Sequence, residues 1–168
     1  MGEELKKMLC DFDREITTKG IPQWSALPEL ELYMDQVIIL LNQYLGSIQS
    51  GDSEVVTKNM INNYVKMKVV PAPVRKKYSR IHIAYLILVC IMKKIYSIAM
   101  IKTILPPHEL CSDEEIEAFY DDFVASFYEA EKEDVKHYLE YAENNDCIIK
   151  LSAEAVVLKT MAEKLVSE

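Results

Sequence analysis

The sequence predicts an all-α protein in which helices surround one small β-hairpin. Half of the 168 residues are hydrophobic and only four are glycine, a composition that suits helices better than a β-sandwich. Apolar residues also recur at helical spacing over most of the chain. Prolines interrupt this spacing within residues 69–74 and at residues 106–107, because proline is excluded from helix interiors. A chain of this length forms one domain, or a small domain with an appendage.

Two helices are predicted in the N-terminal part of the chain. The first covers about residues 3–17, where apolar side chains follow helical spacing, and residues 20–22 end it. The second covers about residues 28–49, because Pro28 suits the first turn of a helix, where its missing amide hydrogen is not needed. Gly and Asp at residues 51–52 are expected to break the chain after this helix.

Three helices are predicted in the central part of the chain, at about residues 55–67, 80–95 and 98–105. Two prolines exclude a helix from residues 69–74. Residues 76–78 are expected to return as a short strand, which completes a small hairpin. Ser79 and Ser97 are suitable N-caps for the second and third helices. The second helix is apolar on nearly all sides and should be the buried centre of the fold.

Two further helices are predicted after the second proline pair. Ser112 and Glu115 have the spacing of a capping box at the start of a helix of about 30 residues, which residues 144–146 should end. The last helix covers about residues 152–166. An aromatic stripe on the long helix consists of Phe119, Phe123 and Phe127, flanked by Tyr120 and Tyr128. This stripe either packs on the centre of the fold as its lid or forms a dimer interface, and the sequence leaves both open.

Charge is strongly segregated along the chain. Residues 55–108 contain no acidic side chain and ten basic ones, although the whole protein has a formal net charge of −8. The flanks therefore carry −18, with −6 in residues 1–54 and −12 in residues 109–168. A basic segment of this kind usually meets a polyanion or an acidic surface. The other interpretation is that the acidic flanks neutralise the basic segment within the fold.

The sequence offers little support for catalysis or for a bound metal. Its three histidines lack the spacing of metal ligands, and it has neither a glycine-rich phosphate loop nor a nucleophile elbow. None of its four cysteines is paired at C-x-x-C spacing, which suits a reducing cytoplasm. The longest apolar run, residues 81–92, is shorter than the roughly 20 residues that span a bilayer. We therefore expect a soluble cytoplasmic protein that is not an enzyme and that binds no cofactor, no metal and no membrane.

Three motifs in the basic segment form one pattern. They are MINNYVKMKVVP at residues 60–71, the pair Tyr78 and Ser79, and SIAMIKTIL at residues 97–105. This pattern resembles the winged helix–turn–helix of the MerR family. There, a recognition helix leads into a hydrophobic dipeptide and a proline, a short wing returns through a tyrosine, and Ser or Thr caps the next helix. The resemblance implies a MerR-like winged helix–turn–helix core, DNA binding through the helix at 55–67, and dimerisation through the helices that follow.

A closer resemblance covers about residues 20–130. NNYVK at residues 62–66 and KKYS at residues 76–79 match the core that is typical of a bacterial family named domain of unknown function 1836. This resemblance implies a fold and no established activity. The chain departs from the MerR pattern in its recognition helix and in the turn that follows. Asn62 replaces an arginine, Asn63 replaces the first aromatic residue, and Lys68 replaces the glycine before the wing.

The polar face of the helix at residues 55–67 suits the major groove of DNA. Asn59, Asn62, Asn63 and Lys66 fall at i, i+3, i+4 and i+7, which gathers them on one face. Asparagine pairs with adenine through two hydrogen bonds, and basic side chains near the wing position the protein on phosphates. The predicted DNA-binding residues are Lys58, Asn59, Asn62, Asn63, Lys66, Arg75, Lys76, Lys77 and Arg80. Five or six phosphate contacts would give a slope of roughly −5 for log affinity against log salt.

The predicted organisation has three parts. N-terminal helices in residues 1–54 pack on a basic winged helix–turn–helix in residues 55–108, and acidic helices follow in residues 109–168. The leading hypothesis is a transcriptional regulator that binds double-stranded DNA and forms a homodimer through its C-terminal helices. The alternative is a non-enzymatic interaction domain, whose basic surface docks an acidic partner or the acidic C-terminal helices of the same chain.

Overall fold

The computed structural model describes residues 2–48, 55–141 and 147–166, and its helices confirm the all-α fold class. Within these ranges there are seven α-helices, two short 3-10 helices and one sheet of two strands. The α-helices are α1 (Gly2–Lys19), α2 (Met34–Leu45), α3 (Lys58–Lys66), α4 (Arg80–Met92), α5 (Ile98–Ile104), α6 (Asp113–Tyr141) and α7 (Cys147–Val166). The strands are β1 (Leu32–Tyr33) and β2 (Lys77–Tyr78), and the 3-10 helices are Trp24–Ala26 and Gly46–Ile48.

The chain divides into two compact units. The central unit is Lys19–Ala125, and the terminal unit combines Met1–Thr18 with Ser126–Glu168. These limits differ from the division at residues 54 and 108 that charge suggested. The reason is that β1, α2 and the first part of α6, all from the acidic flanks, pack into the same unit as the basic segment.

Helix α4 forms the centre of the central unit, as its sequence predicts. Every side chain from Ile83 to Val89 is almost completely buried. The helix begins at the expected N-cap, Ser79, but it ends at Met92, three residues earlier than predicted. Around it lie α2, α5 and strand β2, each in direct contact with α4. An apolar helix buried on all sides fixes the other elements around it, because each must cover part of its surface.

The helix predicted over residues 28–49 is shorter and begins at Met34. Residues 32–33 instead form β1, which pairs antiparallel with β2 in the register Leu32 to Tyr78 and Tyr33 to Lys77. The amide of Tyr33 donates to the side chain of Gln36 at 2.9 Å, which caps α2. Pro28 therefore precedes the strand and does not start the helix, because pairing with β2 holds the preceding backbone extended.

The predicted hairpin is present and its tip is a tight turn. The amide of Lys77 donates to the carbonyl of Val74 at 2.9 Å, and the amide of Val74 donates to the carbonyl of Lys77 at 3.1 Å. Arg75 and Lys76 form the turn with φ angles of 50° and 64°. Positive φ at both central residues is typical of a type I′ turn, whose twist matches that of the strands. We call residues 74–78 the wing.

The remaining helix ends agree with the sequence where caps were predicted. Ser97 accepts a hydrogen bond from the amide of Met100, and Ser112 and Glu115 form the expected capping box. Helix α7 begins at Cys147, five residues before the predicted start. The breaks predicted at residues 51–52 and 144–146 lie outside the described residues.

The aromatic stripe predicted on α6 is not the buried face of that helix. Ile116, Tyr120 and Val124 are buried in the central unit, while Phe119 and Phe123 are only half-buried. The hydroxyl of Tyr120 donates to the carbonyl of Pro22 at 2.8 Å, and its ring meets Trp24 edge-on at 6.0 Å. The carboxylate of Asp121 accepts from the amide of Trp24 at 2.8 Å. Both spacings have the same period, so only these contacts decide which of them is buried.

The terminal unit contains α1, the second part of α6, and α7. Its buried side chains include Ile16, Val135, Tyr138 and Cys147, and the hydroxyl of Tyr138 donates to Glu154 on α7. Most apolar side chains of α7 are exposed nevertheless. They are Ile148, Ile149, Val156, Val157, Leu158, Met161 and Leu165. No helix within the described ranges has the length and apolar character that crossing a membrane requires.

Candidate nucleic-acid interface

Helix α3 has one buried face and one open face. Thr57 caps it by accepting a hydrogen bond from the amide of Met60 at 3.3 Å, and Ile61 and Tyr64 are buried against the rest of the central unit. The open face carries the five α3 residues of the predicted DNA-binding set. These exposed residues are Lys58, Asn59, Asn62, Asn63 and Lys66. The predicted polar face is therefore accessible along the whole of the helix.

Helix α3 ends in a Schellman motif. The amide of Val69 donates to the carbonyl of Tyr64 at 3.1 Å, and the amide of Lys68 donates to the carbonyl of Val65 at 2.9 Å. This motif needs a left-handed residue, and Lys68 adopts it with a φ angle of 55°. The turn expected before the wing is thus formed although lysine stands in place of glycine, at a cost of order 1 kcal/mol.

The tip of the wing presents two cationic side chains. Arg75 and Lys76 are both exposed, and both hold the left-handed backbone that lysine and arginine rarely adopt. Within the described ranges, neither residue forms an ion pair, and the same is true of Lys58 and Lys66 on α3. These four residues are the cations that the central unit leaves open to an external anion.

Lys77 and Arg80 are turned toward the segment before α2. The Lys77 ammonium lies 3.6 Å from the carboxylate of Glu31 and 5.8 Å from the ring centre of Tyr33. The Arg80 guanidinium lies 3.4 Å from Glu29, and it also covers the ring of Trp24. Two carboxylates from the acidic flank therefore partly neutralise the basic segment. Charge patterning along the sequence could not reveal these pairs, because the partners are separated by about 50 residues.

His82 joins the wing to the start of α4. Its Nδ1 accepts from the amide of Ser79 at 3.0 Å, so the proton resides on Nε2, which donates to the carbonyl of Ala72 at 3.1 Å. Burial lowers the pKa of His82, the bond to Ala72 and the charge of Glu31 oppose this shift, and His108 adds to it. The sequence indicated a half-buried structural residue, whereas His82 is 7% exposed and completes the capping box of α4.

The described residues contain no cluster of three or more His, Cys, Asp or Glu side chains that could hold a metal ion. Cys90 lies on the buried α4, and burial raises the pKa of its thiol to about 12, which keeps it protonated and unreactive near neutral pH. The chemistry available on the surface of the central unit is thus that of amides and cations.

Residues 22–123 match the family described as Domain of unknown function (DUF1836). The chain belongs to this family. The DUF1836 region begins and ends inside the central unit of residues 19–125, and it contains the 3-10 helix at Trp24, the sheet, α2 to α5 and the buried part of α6. No curated protein and no solved structure matches the chain.

Proposed function

We propose that this DUF1836 protein is a transcriptional regulator that binds double-stranded DNA with α3 in the major groove. One observation carries the proposal. The five polar side chains of α3 are open while Ile61 and Tyr64 anchor the opposite face, and the cationic wing follows the helix directly. With nine residues, α3 is about 14 Å long, which is comparable with the roughly 12 Å width of the groove.

The order of the elements supports a MerR-like winged helix–turn–helix core. A strand, a helix, the proposed recognition helix, a short wing and a capped helix follow one another as β1, α2, α3, the wing and α4. Pairing of β1 with β2 ties the wing to the residue before α2. Wing and α3 are thereby held on one compact scaffold, which recognition of a groove and its flanking phosphates requires.

The proposed contacts divide into two classes. Asn59, Asn62 and Asn63 address base edges, since amide side chains pair bidentately with adenine. Lys58, Lys66, Arg75 and Lys76 contact phosphates. Lys77 and Arg80 hold the wing through Glu31 and Glu29, and they add to the positive potential without leaving those partners. Four phosphate contacts correspond to a salt slope of about −3.6 for each copy of the protein.

We further propose that two copies associate through α7. This helix is apolar on nearly all sides, and its exposed side chains include Leu158 at 63% and Leu165 at 74%. Helices of this character are normally buried, and an exposed apolar patch of this kind marks an interface. A second copy supplies an equally apolar surface, and twofold symmetry would match two half-sites on DNA. Leu158→Glu should therefore shift the protein toward monomer in light scattering, while Ala155→Glu on the same helix serves as the matched control.

A non-enzymatic interaction domain is the competing function. The contacts of Lys77 with Glu31 and of Arg80 with Glu29 favour it, since they show that carboxylates already occupy part of the basic surface. An acidic protein could then cover the remaining cations. This function requires no base-specific contact, so it predicts that substitution of the asparagines on α3 has no consequence for binding.

Fluorescence anisotropy of labelled duplex DNA separates the two functions. The full-length protein should bind with micromolar or tighter affinity, and affinity should fall steeply with salt. The variant Arg75→Gly with Lys76→Gly keeps a backbone suited to positive φ and should make the slope shallower by about 1.8 for each copy. Lys93→Ala, an exposed lysine of the same acid-free segment, should leave the slope unchanged.

Sequence preference is tested with a selected duplex. Duplexes enriched from a random library by the wild type should lose their advantage over random DNA in Asn63→Ala, by about 1–3 kcal/mol for each base contact. The absence of duplex binding at low salt would refute the DNA proposal. Binding that does not distinguish selected from random duplexes would refute the assignment of α3 to base readout.

A further inference from the structure

A cleft in the central unit lies between the end of α3 and the end of α5. Its volume is about 330 Å³, which falls at the lower end of the range for small-molecule sites. It is lined by Lys68 and Val69 after α3, Tyr85 on α4, Lys102 and Leu105 around the end of α5, and residues 106–110 of the following turn. None of the proposed DNA-binding residues lines it.

The charge of the cleft is that of an anion site. Lys68 and Lys102 line it together with His108, and Glu109 is the one carboxylate among the lining residues. The apolar part of the wall comes from Val69, Leu105, Leu110 and the two prolines. Cations beside a rigid apolar wall suit a ligand that combines an anionic group with an apolar body.

Lys68 provides an independent observation. It occupies the left-handed position of the Schellman motif, where glycine has no steric cost, and its φ angle is 55°. The chain thus retains a cationic side chain at a backbone position that disfavours any side chain. Retained strain of this kind is a mark of functional sites.

The wall of the cleft is held in place by Tyr85. Its hydroxyl donates to the carbonyl of Pro106 at 2.6 Å, and its ring meets His108 edge-on at 5.9 Å between ring centres. Burial raises the pKa of Tyr85 well above its usual value, so the phenol keeps the proton that this hydrogen bond uses. Tyr85 belongs to the rigid α4, and the site is therefore preformed and needs little ordering when a ligand enters.

We propose that this cleft binds a small organic anion. Its carboxylate or phosphate is met by Lys68 and Lys102, and its apolar body lies against Pro106 and Pro107. The proposal goes beyond DNA binding and does not depend on it. Because Lys68 directly follows the last turn of α3, an occupied cleft would nevertheless contact the residue that ends the proposed recognition helix.

Phenyl phosphate is the probe, titrated into the full-length protein at low salt without DNA and followed by amide chemical shifts. We expect saturable shifts for residues that line the cleft. Lys68→Gly suits the left-handed backbone and should remain folded, and Lys102→Ala removes an exposed side chain. Each should weaken binding about tenfold, the usual effect of losing one contact to a charged group. Lys58→Ala is the matched control and should bind like the wild type.

Each other outcome overturns the proposal in an identifiable way. Shifts that do not saturate, or an equal loss in Lys58→Ala, would mean general attraction to a basic surface. Equal affinity for benzyl alcohol, which has a similar body and no charge, would mean an apolar crevice. If phenyl phosphate does not bind while Lys68→Gly and Lys102→Ala weaken duplex binding, these lysines belong to the DNA surface.

Discussion

Acidification should destabilise the central unit through His82. The neutral ring accepts from Ser79 and donates to Ala72, and it is almost fully buried, so the native state resists its protonation. The unfolded chain protonates near pH 6.5, the ordinary pKa of histidine, whereas burial lowers the pKa in the folded protein. Stability contributed by neutral His82 is therefore complete above pH 6.5 and is lost as pH falls below it.

The size of this effect has an upper bound that follows from the unfolded state. If the folded protein bound no proton on His82, the loss between pH 7 and pH 5 would be about 2 kcal/mol. The opposing bond to Ala72 and the charge of Glu31 make the actual loss smaller. At neutral pH, His82→Gln should cost about 2–3 kcal/mol, since it disrupts the cap of α4 and leaves a buried carbonyl without its donor.

Urea unfolding at pH 7, 6 and 5 measures both quantities. Trp24 is the one tryptophan of the chain and it is buried in the central unit, so its fluorescence reports that unit. Carboxylates also titrate in this range, and the difference between wild type and His82→Gln removes their contribution. That difference should shrink as pH falls from 7 to 5. A difference that stays constant, or that grows, would refute the assignment of a neutral His82 to the folded state.

Three other perturbations test separate contacts. Replacing Arg75 and Lys76 together by glycine should leave the free energy of unfolding unchanged or raise it by up to about 1 kcal/mol, because strain at two positive φ angles is relieved; a loss of stability in urea would contradict the turn. Asp121→Ala should cost about 1–2 kcal/mol, as it removes the acceptor of a backbone amide, while its exposed neighbour Asp122 should tolerate alanine; equal effects would argue against that hydrogen bond. Leu158→Glu should not lower the urea midpoint seen by tryptophan fluorescence, since its exposed side chain belongs to the other unit, and a large drop would contradict this placement.

Local signals predicted the helices well, because their causes lie within a few residues. The caps at Ser97 and Ser112 depend on neighbours three residues away, and the burial of α4 follows from a run that leaves no polar face. The open face of α3 could be read from the positions of its asparagines for the same reason. Only the partners of these elements were beyond the reach of such patterns.

The errors share a physical cause, which is contact over long sequence separation. Residues 32–33 form a strand only because residues 77–78 are beside them, so helical spacing could not reveal the true start of α2. Ile116 and Tyr120, and not the phenylalanines, face the core because Pro22 and Trp24 pack there. The ion pairs of Lys77 and Arg80 were equally invisible, which is why the predicted interface contained two residues that are already paired.

The hydrogen bonds between residues 22–24 and residues 120–121 join the two ends of the DUF1836 region to each other. Closing a loop of this length costs about 4 kcal/mol of chain entropy, so these contacts should form late in folding. Once formed, they place the entrance and the exit of the region side by side. A domain with adjacent ends tolerates insertion into a host chain, because the host sequence is not forced apart. The family region is therefore built as a portable insert, which could be grafted between two helices of an unrelated protein.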